Sequence, residues 1–369
     1  MTLARRVRDD RSVRPCDERF RCCDERVRAE ILVQPSGWLM AAFDAELSMR
    51  FLILELVSAA VLVSAPAGES DLVAACSASI GETPQVMGLR FSEDQPDGAL
   101  ASLRLTNEAS GGWMRVYFDA GSERAARSRA ACLGAQIALL EEQLADDRRD
   151  ARWDDVVFTT DAAYAPPRGD EVQNRWIIRT TADGSLDEGD EDLITTVIPH
   201  EQVHEYQKRV APMGPRWFRE GHASWVGFKV ALQLAPDRAE RVIAEREAAI
   251  ADVSERLTLG RWGGLQVRPE AILRQLSPED RARKLADPTF QPNGTFQFGP
   301  GDVISDEGNA IARYAASWRI FVDLETRHGA DAVQSWANDL ISIPARLTNE
   351  QVVDLARERF GEDLGPLLE

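Results

Sequence analysis

His200 and His204 stand four residues apart, and Glu201 directly follows the first of them. On a helix that spacing puts both imidazoles on one face, where they can bind one Zn²⁺. It also puts the Glu201 carboxylate beside a water held by the metal. The chain has only four histidines, and three of them lie between positions 200 and 222. A zinc site that works on a substrate needs a third protein ligand and keeps its fourth position for water. Glu220 is the candidate. The run Val210-Ala211-Pro212-Met213-Gly214-Pro215 reads as a turn. A second helix starting near Arg216 and running antiparallel to the first would bring Glu220 back beside the two histidines.

The elements that must hold these residues are legible around them. Leu193, Ile194, Val197, Val203 and Val210 form an apolar stripe suited to a buried helix. Thr195 or Thr196 could cap its start, which would leave Pro199 in the first turn, where a missing N–H costs little. The second helix would continue through Trp225, Val226, Phe228 and Val230. Upstream, Trp113–Phe118, 154–159 and 176–180 read as strands, and 123–146 reads as a helix. The strand at 174–180 is expected to border the cleft, where an extended peptide could pair with its edge. Residues 181–192 hold six acids and read as a solvated loop. Downstream, helices are expected over 237–257, 269–286, 309–328, 331–341 and 349–359. The Gly/Pro/aromatic stretch 290–301 reads as a long loop of the kind that covers sites.

The motif runs His200-Glu201-Gln202-Val203-His204-Glu205-Tyr206-Gln207, then Pro215-Arg216-Trp217-Phe218-Arg219-Glu220-Gly221-His222-Ala223-Ser224-Trp225. This resembles the gluzincin-type zinc metallopeptidases of the zincin superfamily, in particular the small peptidase-MA-like families with HExxH on one helix and EGxA on the next. The resemblance implies an α+β, zincin-like fold: a small sheet plus an active-site helix pair, followed by an all-helical C-terminal subdomain. It implies His200, His204 and Glu220 as zinc ligands, Glu201 as general base and a peptide or protein as substrate. One position departs from thermolysin-like enzymes. Four residues after the glutamate ligand they carry an aspartate that orients a zinc-bound histidine, and here that position is Ser224.

A tetrahedral oxyanion needs a second electrophile besides the metal. Of the four tyrosines, Tyr117, Tyr164, Tyr206 and Tyr314, the last lies on a downstream helix where related peptidases often place a cleft-facing tyrosine. A core or surface role for it stays open. His222, two residues past Glu220, points away from it on a helix and reads as a residue behind the ligands or on the surface. His328 fits a helix C-terminus, and Tyr206 reads as packing. Two other functions remain compatible with the motif: an exported zincin-fold binding or scaffold protein without peptidase activity, and a zinc hydrolase acting on a non-peptide amide.

The chain has 369 residues, 44% hydrophobic and 28% charged, which is ordinary for a globular protein. Its net charge of −18 argues against a nucleic-acid partner. The charge mainly serves solubility, and a preference for basic peptides is its weaker implication. Residues 1–48 carry nine arginines, nine acids and three cysteines with little apolar periodicity. From Met49 a short positive start, an apolar stretch and Ala65-Pro66-Ala67 follow, the pattern of a signal peptide over 49–67. On this reading residues 1–48 come from an upstream start, and the mature protein is exported, periplasmic or secreted, with no stable membrane span. If 1–48 are genuine, the protein is cytoplasmic. The mature protein would divide into a peripheral segment (68–111), a catalytic subdomain (112–235) and a helical subdomain (236–369). It would keep only Cys76 and Cys132, which suggests one disulfide.

Overall fold

The five-stranded sheet begins in a stretch whose sequence pattern suggests no regular structure. Helix α1 (Glu69–Ser77) precedes a hairpin of β1 (Leu89–Asp97) and β2 (Leu100–Asn107). Asp97 pairs with Leu100 across a two-residue turn in which Gly98 has φ +61°, a conformation that costs little without a Cβ. β1 is an edge strand, where Pro96 removes no ladder bond from a second neighbour. β3 (Trp113–Phe118) pairs antiparallel with β2. Helix α2 (Glu123–Gln143) then crosses over to β4 (Asp155–Thr159), and β5 (Arg175–Arg179) follows, each strand parallel to the one before it. The computed structural model describes residues 69–369 apart from 147, 167–173, 211–213, 255, 264, 288–289, 291, 293–295, 298–299 and 306–307. The signal-like segment and Cys16, Cys22 and Cys23 lie outside the described residues.

Period-two alternation divides the strands between two faces. Met114, Val116, Phe118, Val156 and Phe158 enter the main core with Leu133, Ile137 and Leu140 of α2. Tyr117 and Val157 face the other way, in a small cluster with Leu100. Cys76 and Cys132 form a disulfide that ties α1 to α2, as the cysteine count suggests. β5 is the other edge of the sheet, with no second strand beside it among the described residues.

The helix that carries the histidines starts earlier than the sequence suggests. Asp187 caps α3 (Glu188–Asp192), its carboxylate accepting from the Asp190 N–H. The backbone then widens into a π-helical turn over Leu193–Val197 and continues as α4 (Ile198–Val210). Thr195 and Thr196 therefore cap nothing; their hydroxyls donate to the Glu191 and Asp192 carbonyls at 2.8 and 2.7 Å. The physical reason is Pro199. It has no N–H to offer, and its ring would press on the carbonyl four residues back, which a widened turn relieves. The acidic run at 181–192 is thus not all solvated loop. Asp190 is buried, and Arg238 and Arg241 of α6 (Pro236–Ala251) reach Asp192 at 3.0 and 2.7 Å.

Helix α5 (Arg216–Leu234) lies between α4 and α6 in the chain. After α6 come β6 (Leu265–Val267), α7 (Pro269–Gln275), α8 (Pro278–Ala286), β7 (Val303–Ser305), α9 (Ala310–His328), α10 (Ala330–Ile341), α11 (Asn349–Phe360) and α12 (Gly365–Leu368). The single helix expected over 269–286 is two, because Pro278 disfavours helical geometry in the residue before it. Ser277 takes that place and caps α8. The class is α+β, a small sheet with a helical C-terminal region, as expected.

Leu265–Ile304 clusters as a compact unit of its own, in which Arg274 pairs with Asp302 and the Gln275 side chain bonds twice to the Gln297 backbone. The stretch 290–301 lies partly outside the described residues. The other described residues form the second unit, with β1 and β2 sharing the sheet of β3 and α9 packed on α5. No helix among the described residues is long and apolar enough to cross a membrane.

Candidate metal centre

α4 and α5 run antiparallel and touch closely enough to bring His200, His204 and Glu220 together. Glycine makes this possible at two points. A Cβ on Gly227 would lie 2.9 Å from the His200 Cα, and one on Gly221 would lie 2.7 Å from the Ser317 carbonyl oxygen of α9. The glycine after the glutamate in EGxA is therefore a packing requirement of α5 against α9. At the meeting point His204 Nε2 is 3.1 Å from His200 Nε2 and 3.0 Å from Glu220 Oε2, and His200 Nε2 is 3.3 Å from the same oxygen. Three ligands at ~2.0–2.1 Å from a tetrahedral ion stand about 3.3 Å apart. The triangle fits one small divalent cation, and these are the three residues able to hold one together among the described residues.

The far side of each histidine is also held. Gln207 Oε1 lies 2.9 Å from His204 Nδ1, and Ser224 Oγ lies 3.2 Å from His200 Nδ1. Each contact fixes ring orientation and leaves Nε2 for the triangle. Ser224 thus stands at the ring that an aspartate would orient in thermolysin-like enzymes. Gln207 in turn donates to the Arg219 carbonyl at 3.1 Å and to His222 Nδ1 at 3.1 Å. His222 therefore lies behind the ligands, fully buried, stacked on Phe218 with ring centroids 6.3 Å apart. Gln202, inside the HExxH motif, bonds both the N–H and the carbonyl of Asp154 at 2.9 Å, which pins α4 to the start of β4.

Charge is distributed unevenly across the triangle. Burial disfavours the charged form of Glu220, but His204 and His200 outweigh it and hold the carboxyl well below its ordinary range. Burial also opposes protonation of His204, yet Glu220 raises its pKa. At His200 burial prevails and lowers the pKa. The second oxygen of Glu220 faces Arg216 Nε at 3.7 Å and Arg219 Nη2 at 4.0 Å. One oxygen is thus directed at the imidazoles and the other at cations.

Burial pushes the His222 pKa down from 6.5 to about 3, so the ring is neutral at neutral pH. The unfolded chain takes up a proton at His222 near pH 6.5 and the folded chain does not. Stability should therefore fall as the pH drops through that window, by about 1.4 kcal/mol per pH unit from this group. Thermal melts of metal-free protein between pH 7 and 4 should show a steeper loss for the parent than for His222→Gln, which keeps an acceptor for Gln207.

Two further residues singled out in the sequence come to the same place. Glu201 is half-buried beside His200, and its charge acts on His200, His204 and Tyr314. The Tyr314 ring lies 6.1 Å from the His200 ring and edge-on to Trp262 at 4.8 Å. The Arg216 guanidinium lies near the Tyr314 hydroxyl and covers Trp262 at 4.7 Å. Burial and the nearby Glu220 carboxylate hold the Tyr314 phenol far above its ordinary range, so it remains an O–H donor. Tyr206 packs under Arg148 and bonds Asn338 at 3.3 Å, and His328 ends α9 against Glu362, both away from the triangle. Sequence reasoning attached no role to Gln207, Arg216 or Arg246. Gln207, one helical turn after His204, was open to reading from spacing alone. Arg246 carries no such signal.

No protein-family model matches this sequence, and no curated protein matches it.

Proposed function

We propose that the protein is a zinc-dependent peptidase of the gluzincin type, hydrolysing peptide bonds with Glu201 as general base. The observation that carries the reading is the convergence of three ligand atoms within 3.3 Å, each imidazole oriented from behind by its own partner. A helix that merely happened to carry two histidines would have no reason to present both Nε2 atoms to one buried carboxylate oxygen. Zinc, when bound, supplies a Lewis acid that makes a water acidic near neutral pH and polarises a carbonyl.

The protein's own residues divide the remaining work. Glu201 takes the proton of the attacking water and returns it to the leaving nitrogen. Tyr314 donates its O–H to the oxyanion. Ser224 and Gln207 keep the imidazoles in the tautomer that leaves Nε2 free. The intact Glu201 favours a peptidase over a zincin-fold scaffold, which has no use for that carboxylate. The Cys76–Cys132 disulfide favours an exported protein, since such bonds persist in oxidising compartments.

Metal content tests the reading. Purified protein should hold one zinc per molecule, and Glu220→Gln should lose most of it on dialysis, because an amide oxygen carries no charge to offer the ion. A parent that binds no zinc, or a variant that holds it equally well, would remove the basis for the assignment.

A further inference from the structure

Two buried donors beside Tyr314 have no hydrogen-bond partner among the described residues. Arg246 of α6 sets its guanidinium 5.1 Å from the Phe228 ring and 5.7 Å from the Tyr314 ring. Its Nη1 is shut off from solvent and has no hydrogen-bond partner among the described residues. Trp262, 3% exposed, packs against the same tyrosine, and its Nε1 also lacks a partner among the described residues. A guanidinium does not shed its proton. Burying it without a counter-charge costs several kcal/mol. Ring contacts return only about 2 kcal/mol of that. Glu220, whose charge reaches Arg246, already has its oxygens on His200, His204 and the Arg216 side. Among the described residues Arg246 has no ion-pair partner of its own.

We infer that a carboxylate of the substrate supplies the counter-charge. Arg246, on the Tyr314 ring that Trp262 also packs against, receives that carboxylate next to the metal centre, so cleavage occurs close to an acidic side chain or to the free C-terminus of a peptide. The inference rests on the peptidase reading above. It reverses what the net charge of −18 suggests about substrates. Around the centre, Arg216 and Arg219 face Glu220, and Arg246 lies against Tyr314. The surface keeps anions away in general, and the site selects the one that fits.

The test uses zinc-loaded Glu201→Gln protein, so that peptides bind without turning over. Three probes are titrated calorimetrically: acetyl-trialanine with a free C-terminal carboxylate, the same peptide as its C-terminal amide, and that amide with one alanine replaced by glutamate. At least one carboxylate-bearing peptide should bind on the order of 10-fold or more tighter than the neutral amide. Whichever does so identifies the source, peptide terminus or acidic residue. Adding Arg246→Gln should erase the preference while zinc content stays as it was and the melting temperature does not fall. Arg246→Lys, which keeps charge but not the planar fork, should restore part of it, and Trp262→Phe should weaken it. Equal binding of all three peptides, or a preference that survives Arg246→Gln, overturns the inference and shows an arginine held only by Phe228 and Tyr314. The two readings fail separately. If the parent cleaves no peptide but the Arg246-dependent preference is present, the carboxylate site stands and peptidase chemistry falls. If the parent cleaves neutral peptides and Arg246→Gln does not alter the preference, the reverse holds.

Discussion

Glu201→Gln is expected to lower peptide hydrolysis by on the order of 10²-fold or more while zinc stays at one per molecule. Glu201 is not a corner of the ligand triangle, so removing its charge leaves His200, His204 and Glu220 in place. Glutamine keeps the length and polarity of the side chain and loses the ability to take a proton. The carboxylate is half-buried, and its charge acts on both imidazoles and on Tyr314. Zinc content and turnover must be measured on the same preparation. Parallel loss of both would make Glu201 structural. A parent without activity on a broad peptide library would favour the binding-protein alternative or a non-peptide amide substrate.

Tyr314→Phe should reduce turnover by roughly 10- to 10³-fold with zinc content and melting temperature nearly unchanged. The ring's contacts with Trp262 and His200 survive the change, and Arg216 keeps its approach to Glu220. What disappears is one O–H that burial keeps protonated. The effect should fall on kcat more than on KM, because an oxyanion exists only in the transition state. Intact turnover with a lowered melting temperature would instead mark a packing tyrosine.

The ligand set was readable because each part of it has a local rule. Four-residue spacing puts two side chains on one helix face, and Pro212, Gly214 and Pro215 announce the turn that sends α5 back. The alternating strands at 113–118 and 154–159 follow the same kind of rule. What escaped lacks one. The hairpin of β1 and β2 carries an Asp97-Gly98 turn signal, but β1 is an exposed edge strand with Pro96 inside it, so its alternation is weak. The widened turn before α4 is a matter of hydrogen-bond register, which apolar periodicity does not encode. Arg246 is one of several charges on an amphipathic helix. Only tertiary packing against Phe228 and Tyr314 sets it apart.

That widened turn also lets the helix tolerate a change in its own length. Each residue of a helix advances about 100° around the axis. Leu193–Val197 absorbs a surplus residue between the cap at Asp187 and the face that carries His200 and His204. A single deletion there would remove the surplus residue together with the widened turn, and both imidazoles would keep their phase toward Glu220. The same deletion before Asp187 would leave their phase untouched. A loss between His200 and His204 has no such slack and would rotate one imidazole about 100° relative to the other.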